Sequence, residues 1–154
     1  MANRRQPINS PAAAVRIVQG SVRHIAPPAH VPLDDCDWPF WESVVAEFAR
    51  SEWTEHQLEL AAMLARTMAN LESEQRTLRT EGFTAMSSKG TPVVNPRSTA
   101  CKGLAGDILS MRRSLALHAR ARSGDNRDAA NQRDTAKGIE TDVSDDLLAR
   151  PSIQ

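Results

Sequence analysis

The sequence contains no tyrosine, and aromatic residues make up only 4% of its 154 residues. Hydrophobic residues of all kinds reach 40%, which is little material for a self-sufficient globular core. We therefore expect part of the apolar surface to be buried against other copies of the chain.

Cysteine is scarce as well, because Cys36 and Cys101 are the two present, and they lie far apart in no zinc-binding spacing. We interpret both as reduced thiols of a cytosolic protein. The apolar helical run Leu60–Ala65 is far too short to cross a membrane, and no signal peptide is visible. The sequence thus predicts a soluble protein with no membrane partner.

Sequence patterns of enzyme chemistry are missing too. The phosphate-cradling pattern G-x-x-x-x-G-K-[ST] does not occur, and the four histidines are scattered without ligand spacing. Asp34, Asp35 and Asp37 form an acidic cluster, but they precede a predicted helix start, where acids favour the helix dipole. We therefore predict no enzyme, no cofactor and no metal. A metal nuclease using these three aspartates remains the weakest alternative.

The charges balance in number but are segregated along the chain. Lys+Arg and Asp+Glu both total 19. Residues 1–33 carry arginines and no acid, residues 34–59 are strongly acidic, and residues 62–122 are mostly basic. A neutral protein with this order of charges presents local fields that a polyanion would sense.

Two helices are predicted in the acidic and apolar part of the chain. The first runs from Trp38 to Arg50 with Asp37 as N-cap, because its apolar residues recur at three and four positions. The second starts at the capping box Thr54–Gln57 and continues to about Glu81. A helix of about 27 residues is roughly 40 Å long, so we expect part of it to pack on another subunit.

A third helix is predicted from about Arg97 to His118, with Asn95 as its cap and Pro96 in its first turn. The preceding Val93-Val94 pair predicts a short extended step. Opposite the apolar arc of this helix lie Lys102, Arg113 and Arg120, whose spacings of 11 and 7 residues project them within about 20° of each other. The sequence therefore predicts a helix with an apolar seam and a basic face.

Three linked features carry a resemblance to a known family. They are the first predicted helix, which opens on Trp38, then "WTEHQLELAAMLARTMANLE" (Trp53–Glu72), and then "TEGFTAMSSKGTPVVNPRSTACKGLAGDILSMRRSLAL" (Thr80–Leu117). In order and spacing they resemble the P27-like small terminase subunits of tailed bacteriophages. The shared positions are Thr54, Gly90, Asn95-Pro96 and Leu115-Ala116-Leu117, followed by Arg120 and Arg122. Many relatives have Gly where Ala116 stands and Thr-Pro where His118-Ala119 stands, and the match covers roughly residues 38–125.

The resemblance implies a DNA-recognition subunit without catalytic activity. Such proteins form rings of about eight to ten copies and bind the packaging start site of double-stranded viral DNA in the host cytoplasm. They also recruit and regulate the terminase large subunit, which supplies the ATPase and the nuclease.

The expected fold is all-α. Its core is a helical hairpin formed by the long second helix and the third helix, with a short N-terminal helix beside it. Disordered tails flank this core, and copies of the chain assemble into a ring. We divide the chain into a flexible basic arm (1–36), a helical DNA-recognition and oligomerisation domain (37–120) and a flexible tail (121–154).

Charge placement selects the candidate contact residues. Leu147 and Leu148 near the C-terminus look like an anchor for the large subunit, with a frayed tail as the alternative. The candidate DNA-binding residues are Lys102, Arg112, Arg113, Arg120 and Arg122, with Arg4, Arg5, Arg16 and Arg23 adding contacts from the arm.

Two alternatives come from other classes of protein. One is a helical scaffold or adaptor that makes protein contacts alone. The other is a small dimeric transcription regulator that uses the first helix and the start of the second as a helix-turn-helix. Its recognition helix would open with Glu55 and Glu59, an acidic face unsuited to the major groove.

Overall fold

The computed structural model describes residues 11–117 and 127–148. Within them the chain is mainly helical, which confirms the all-α prediction. The elements are α1 (Pro11–Ser21), α2 (Trp38–Val45), a 3₁₀ turn (Arg50–Glu52), α3 (Glu55–Glu81), β1 (Thr84–Met86), β2 (Pro92–Val94), α4 (Pro96–Ser114) and α5 (Arg127–Leu148). None of these helices is both long enough and apolar enough to cross a membrane.

The chain divides into two compact units. The first combines Met1–Ala26, Val45–Glu55 and His118–Gln154, and the second combines Pro27–Val44 and His56–Leu117.

In the first unit, α1 packs on α5. Ile17, Ala49 and Ala136 form a small buried core, with exposures of 6%, 1% and 2%, and Ile139 packs against it. Polar contacts surround this core: the Arg50 backbone N–H donates to Glu140 Oε2 at 2.8 Å, and the Arg133 guanidinium lies 4.4 Å from the centre of the Phe48 ring. These contacts hold α5 to the segment that precedes α3.

The two helices of the first unit differ from the sequence prediction. Residues 11–21 fall in the segment predicted as a flexible arm, and residues 127–148 fall in the predicted flexible tail, yet both are helical. The physical reason is tertiary, because each helix is stabilised by burying Ile17 or Ala136 against the other. The contact joins residues too distant in sequence for a periodicity window to detect.

The core of the second unit lies on the first half of α3. Ala61, Ala62, Leu64 and Ala65 are fully buried there, and Trp41 of α2 is 2% exposed. Further along α3, Leu78 is the one residue after Ala69 that is buried. The C-terminal half of α3 therefore keeps most of its surface free of contacts within the described part of the chain.

The bounds of the predicted helices agree with the structure except at two ends. Helix α3 begins one residue after Thr54 and ends at Glu81 as predicted. Helix α2 stops at Val45, short of Arg50, because the chain turns there and Trp53 folds back to donate from Nε1 to the Val45 carbonyl at 3.2 Å. Helix α4 stops at Ser114, short of His118.

A two-stranded hairpin joins α3 to α4. Gly82 ends α3 with a φ of 87°, and β1 then pairs antiparallel with β2 so that Thr84 lies opposite Val94. The sequence predicted the extended Val93-Val94 step but not its partner strand. The large side chains here stay exposed: Phe83 68%, Met86 69%, Val93 42% and Val94 69%.

Asn95 caps α4 as predicted. Its Oδ1 accepts from the Arg97 backbone N–H at 3.0 Å, and Pro96 occupies the first turn. The Asn95 side chain also donates to Glu81 Oε2 at 3.0 Å and to the Gly82 carbonyl at 3.1 Å, so it joins both helix ends. Burial of Asn95, 6% exposed, is possible because its polar atoms are satisfied.

The C-terminal end of α4 is a Schellman motif. The Leu117 N–H donates to the Arg112 carbonyl at 2.8 Å and the Ala116 N–H to the Arg113 carbonyl at 3.0 Å. Ala116 is left-handed, with a φ of 55°. This position suits glycine, which is the residue that many relatives have there according to the resemblance.

Candidate nucleic-acid interface

Helix α4 carries a short basic face. Lys102 and Arg113 are both exposed, and their separation of 11 residues places them about 17 Å apart along one side of the helix. Arg112 is exposed beside Arg113 in the last turn. Within the described residues, these three side chains make no ion pair and no hydrogen bond. Their charges are therefore available to a phosphate backbone.

The other two candidate residues of this segment, Arg120 and Arg122, lie outside the described residues. Helix α4 itself ends at Ser114, with the Schellman motif at Leu115–Leu117. The predicted contribution of Arg120 to the basic face stays a prediction.

The N-terminal arginines fall into two groups. Arg4 and Arg5 lie outside the described residues, and Arg16 lies on α1 with its side chain also outside the description. Arg23 holds the first unit together, since it donates from Nη1 to the Trp53 carbonyl at 2.7 Å and pairs with Glu55. We therefore assign Arg23 mainly to folding, because its charge already has a partner.

The candidate large-subunit anchor is on α5. Leu147 and Leu148 are the last two residues of that helix, and their side chains lie outside the description.

The strongest charged cluster in the second unit was not predicted. Arg97 forms an ion pair with Glu74, with a distance of 2.5 Å between Nη1 and Oε2. It also donates two parallel hydrogen bonds of 3.1 Å to Glu81, from Nε to Oε2 and from Nη2 to Oε1. These hydrogen bonds, first from Arg97 and then from Asn95, hold the pKa of Glu81 below its usual value, and the two carboxylates raise the pKa of Arg97. The available sequence signal was the spacing of Glu74 and Glu81, which lie on one side of α3 seven residues apart.

No group of three or more metal-ligating side chains occurs in residues 11–117 and 127–148. In the acidic cluster, Asp37 is 4% exposed and its carboxylate accepts from the Asp34 backbone N–H at 2.9 Å. Asp37 stands at the N-cap position of α2 as predicted, because its carbonyl accepts from the Trp41 N–H at 2.9 Å and from the Phe40 N–H at 3.1 Å. Its carboxylate bonds to the turn that precedes the helix.

Comparison with known protein families now gives the class of the protein. Residues 1–154 match the model of the Hendrixvirinae small terminase family. The chain belongs to this family, and it is therefore a small terminase subunit of a phage, as its resemblance predicted. No curated protein matches the chain.

Proposed function

We propose that the protein binds the packaging start site of viral DNA as a ring oligomer and recruits the large terminase subunit in the host cytoplasm. The proposal of DNA binding rests on three basic side chains of α4. Lys102, Arg112 and Arg113 are exposed and have no partner among the described residues. In a ring, every copy presents this local positive charge once, so the surface that faces DNA becomes strongly positive although each subunit has a formal net charge of zero.

DNA contact through the start of α3 is disfavoured. Glu55 and Glu59 stand at that helix end, where Glu59 pairs with His30 at 3.2 Å and with His56 at 3.4 Å. An acidic surface repels phosphates, so the helix-turn-helix regulator is the less favoured candidate.

The role of the protein is recognition rather than catalysis. The sequence has no phosphate-cradling loop, so the ATP-driven step is assigned to the large subunit. Leu147 and Leu148 are the proposed anchor, and the double variant Leu147→Ala with Leu148→Ala should reduce co-purification with the large subunit while leaving DNA affinity unchanged.

The test of DNA binding reverses the charge of the last turn of α4. The double variant Arg112→Glu with Arg113→Glu should weaken binding to duplex phage DNA by at least about tenfold at 100 mM salt, because phosphate contacts become repulsive. The matched control is Arg66→Glu with Lys89→Glu, which makes the same change in net charge at exposed positions elsewhere in the second unit. Fluorescence anisotropy measures the affinity, and native mass spectrometry of the same samples measures the assembly.

Equal weakening by the two double variants would mean that net charge alone matters and that α4 is not the contact surface. An intact oligomer with no salt-dependent DNA binding in the wild type would favour the scaffold alternative.

A further inference from the structure

Two open grooves border the α3–α4 pair, and they carry opposite charge. The first, here called the basic groove, has a volume of about 430 Å³ and is lined by residues that include Leu78, Arg79, Phe83, Cys101 and Lys102. The second, the acidic groove, has a volume of about 500 Å³ and is lined by Glu74, Ala100, Gly103, Leu104 and Asp107 among others. Both lie wholly within the second compact unit.

The grooves face in opposite directions. On α4, every residue that lines the acidic groove lies two positions after a residue that lines the basic groove. Gly103 and Cys101 are one such pair. Two residues correspond to a rotation of about 200° and a rise of about 3 Å. On α3, every residue that lines the acidic groove lies five positions before a residue that lines the basic groove. Five residues correspond to a rotation of about 140° around the helix and a rise of about 8 Å along it. The grooves thus stand on opposite sides of the helix pair at similar heights.

The charges at the groove rims are unused within the protomer. Arg79, Lys102 and Asp107 are exposed, and among the described residues they make neither an ion pair nor a side-chain hydrogen bond. Glu74 adds a second negative charge to the acidic groove, although it is already paired with Arg97. The rims are therefore electrostatically complementary to each other.

An exposed aromatic side chain borders the basic groove. Phe83 has 68% of its surface exposed there. In the acidic groove, Gly103 is open to solvent, because a Cβ added there would meet nothing within 4 Å. This part of the acidic groove therefore has no side chain of its own in the way of a second copy.

We propose that the basic groove of one copy docks on the acidic groove of a second copy, so that the α3–α4 pair is a head-to-tail self-association module. This inference rests on the proposed ring and names the surfaces that close it. Two different faces must meet, since a two-fold contact of either groove with itself would oppose like charges.

Charge reversal provides the first test. Arg79 is used rather than Lys102 because Lys102 also belongs to the proposed DNA contact. Arg79→Glu cancels the positive charge of the basic groove, where Lys102 remains, and Asp107→Arg cancels the negative charge of the acidic groove, where Glu74 remains. Each variant alone should assemble only at a concentration at least about tenfold higher than the wild type, as measured by native mass spectrometry and sedimentation.

The decisive result is the mixture of the two variants. Equal amounts should co-assemble into oligomers in which the two chains alternate, because each interface again joins opposite charges at the two changed positions. The control Lys89→Glu, at the exposed tip of the β1–β2 hairpin, should assemble as the wild type does. Assembly of both single variants at wild-type concentration, or failure of their mixture to assemble, would overturn the head-to-tail pairing.

The second test uses the two glycines of α4. A Cβ at Gly103 or at Gly106 meets nothing within 4 Å, so tryptophan at either position should leave the protomer folded. Gly103 lines the acidic groove, whereas Gly106 lines neither the acidic nor the basic groove. Gly103→Trp should therefore block assembly and Gly106→Trp should not, while circular dichroism shows equal helix content for both. Identical assembly of the two variants would contradict the proposal.

These experiments separate the inference from the function on which it rests. A wild-type protein that remains monomeric at working concentration overturns the ring itself. An assembled wild type whose grooves tolerate all of these changes overturns only the choice of surfaces.

Discussion

Arg97 fastens the start of α4 to the end of α3 through Glu74 and Glu81. Because the hydrogen bonds from Arg97 lower the pKa of Glu81 in the folded protein, this carboxylate stabilises the fold at pH values above its unfolded pKa, near 4.5. The contribution is lost as the pH falls through the lower, folded pKa.

Arg97→Gln should therefore lower the thermal midpoint at pH 7 and have a smaller effect at pH 3, which lies below the unfolded pKa of Glu81, so that part of this contribution is already lost. Arg66→Gln is the control, because Arg66 is exposed and has no partner among the described residues. Thermal unfolding followed by circular dichroism at both pH values measures the difference. If Arg97→Gln lowers the thermal midpoint by the same amount at both pH values, the ion pair does not supply the stability.

Ala116 is the described non-glycine residue with positive φ, at 55°. An L-residue with a Cβ is strained in this region, whereas glycine is not. Ala116→Gly should therefore stabilise the second unit by about 1 kcal/mol. Ala100→Gly, at an exposed position inside α4, should destabilise it by about 1 kcal/mol because glycine lowers helix propensity. Urea denaturation measures both, and a loss of stability in Ala116→Gly would contradict the account of this helix end.

At the scale of single residues, the sequence predicted what depends on near neighbours. Asn95 and Pro96 start α4 as expected because a cap needs only the next two or three residues. The pairing of Arg23 with Glu55 was not predictable, since the sequence does not show which distant acid an arginine will meet. For the candidate site, the spacing of Lys102 and Arg113 placed both on one helix. The Schellman motif that ends this helix was not predicted, because it depends on a left-handed backbone conformation at Ala116, a position that suits glycine.

At the scale of elements, the helices that were predicted are those marked by caps and long apolar runs in contiguous sequence. Helix α3 has a long run with small buried alanines and was found almost to the residue. Strand β1 was missed because its three residues are too few to show an alternation of apolar and polar side chains. They form a strand only by pairing with Pro92–Val94. Helices α1 and α5 were missed because their stabilising contacts are with each other.

The contact of α1 with the 3₁₀ turn is testable at Gly20. A Cβ at this position would lie 2.4 Å from Ser51 Cβ and 2.9 Å from Ser51 Cα, so Gly20→Ala should destabilise the first unit by at least about 1 kcal/mol despite the higher helix propensity of alanine. Gly138→Ala on α5 is the matched control. There a Cβ meets nothing within 4 Å, so the same change should stabilise by up to about 1 kcal/mol.

Amide hydrogen exchange of α1 and α5 reports on both variants. Equal protection in Gly20→Ala and in the wild type would show that Ser51 can move aside and that the close packing is not required.

At the scale of the whole molecule, a formal net charge of zero does not prevent DNA binding. Binding to phosphates releases counterions, so log K should fall with log salt by about 0.9 for each phosphate neutralised. Arg4→Ala with Arg5→Ala should then reduce the magnitude of that slope by up to about 1.8 for each copy whose arm contacts duplex DNA. Titrations between 50 and 200 mM salt on the assembled protein measure it, with Lys89→Ala as the control. An unchanged slope would remove the N-terminal arginines from the proposed contact.

The β1–β2 hairpin has a consequence for the behaviour of the protein before it finds its partners. It is a two-stranded sheet with unpaired edges on both sides within the described residues, and Phe83, Met86 and Val94 are largely exposed. Such an edge is a template for unwanted strand pairing, which is restrained here only by strands of three residues and by Pro92 at the start of β2. Freshly made or diluted protein is therefore expected to be most prone to aggregation through this hairpin, and its solubility on storage should depend on Met86 and Val94 more than on the buried core.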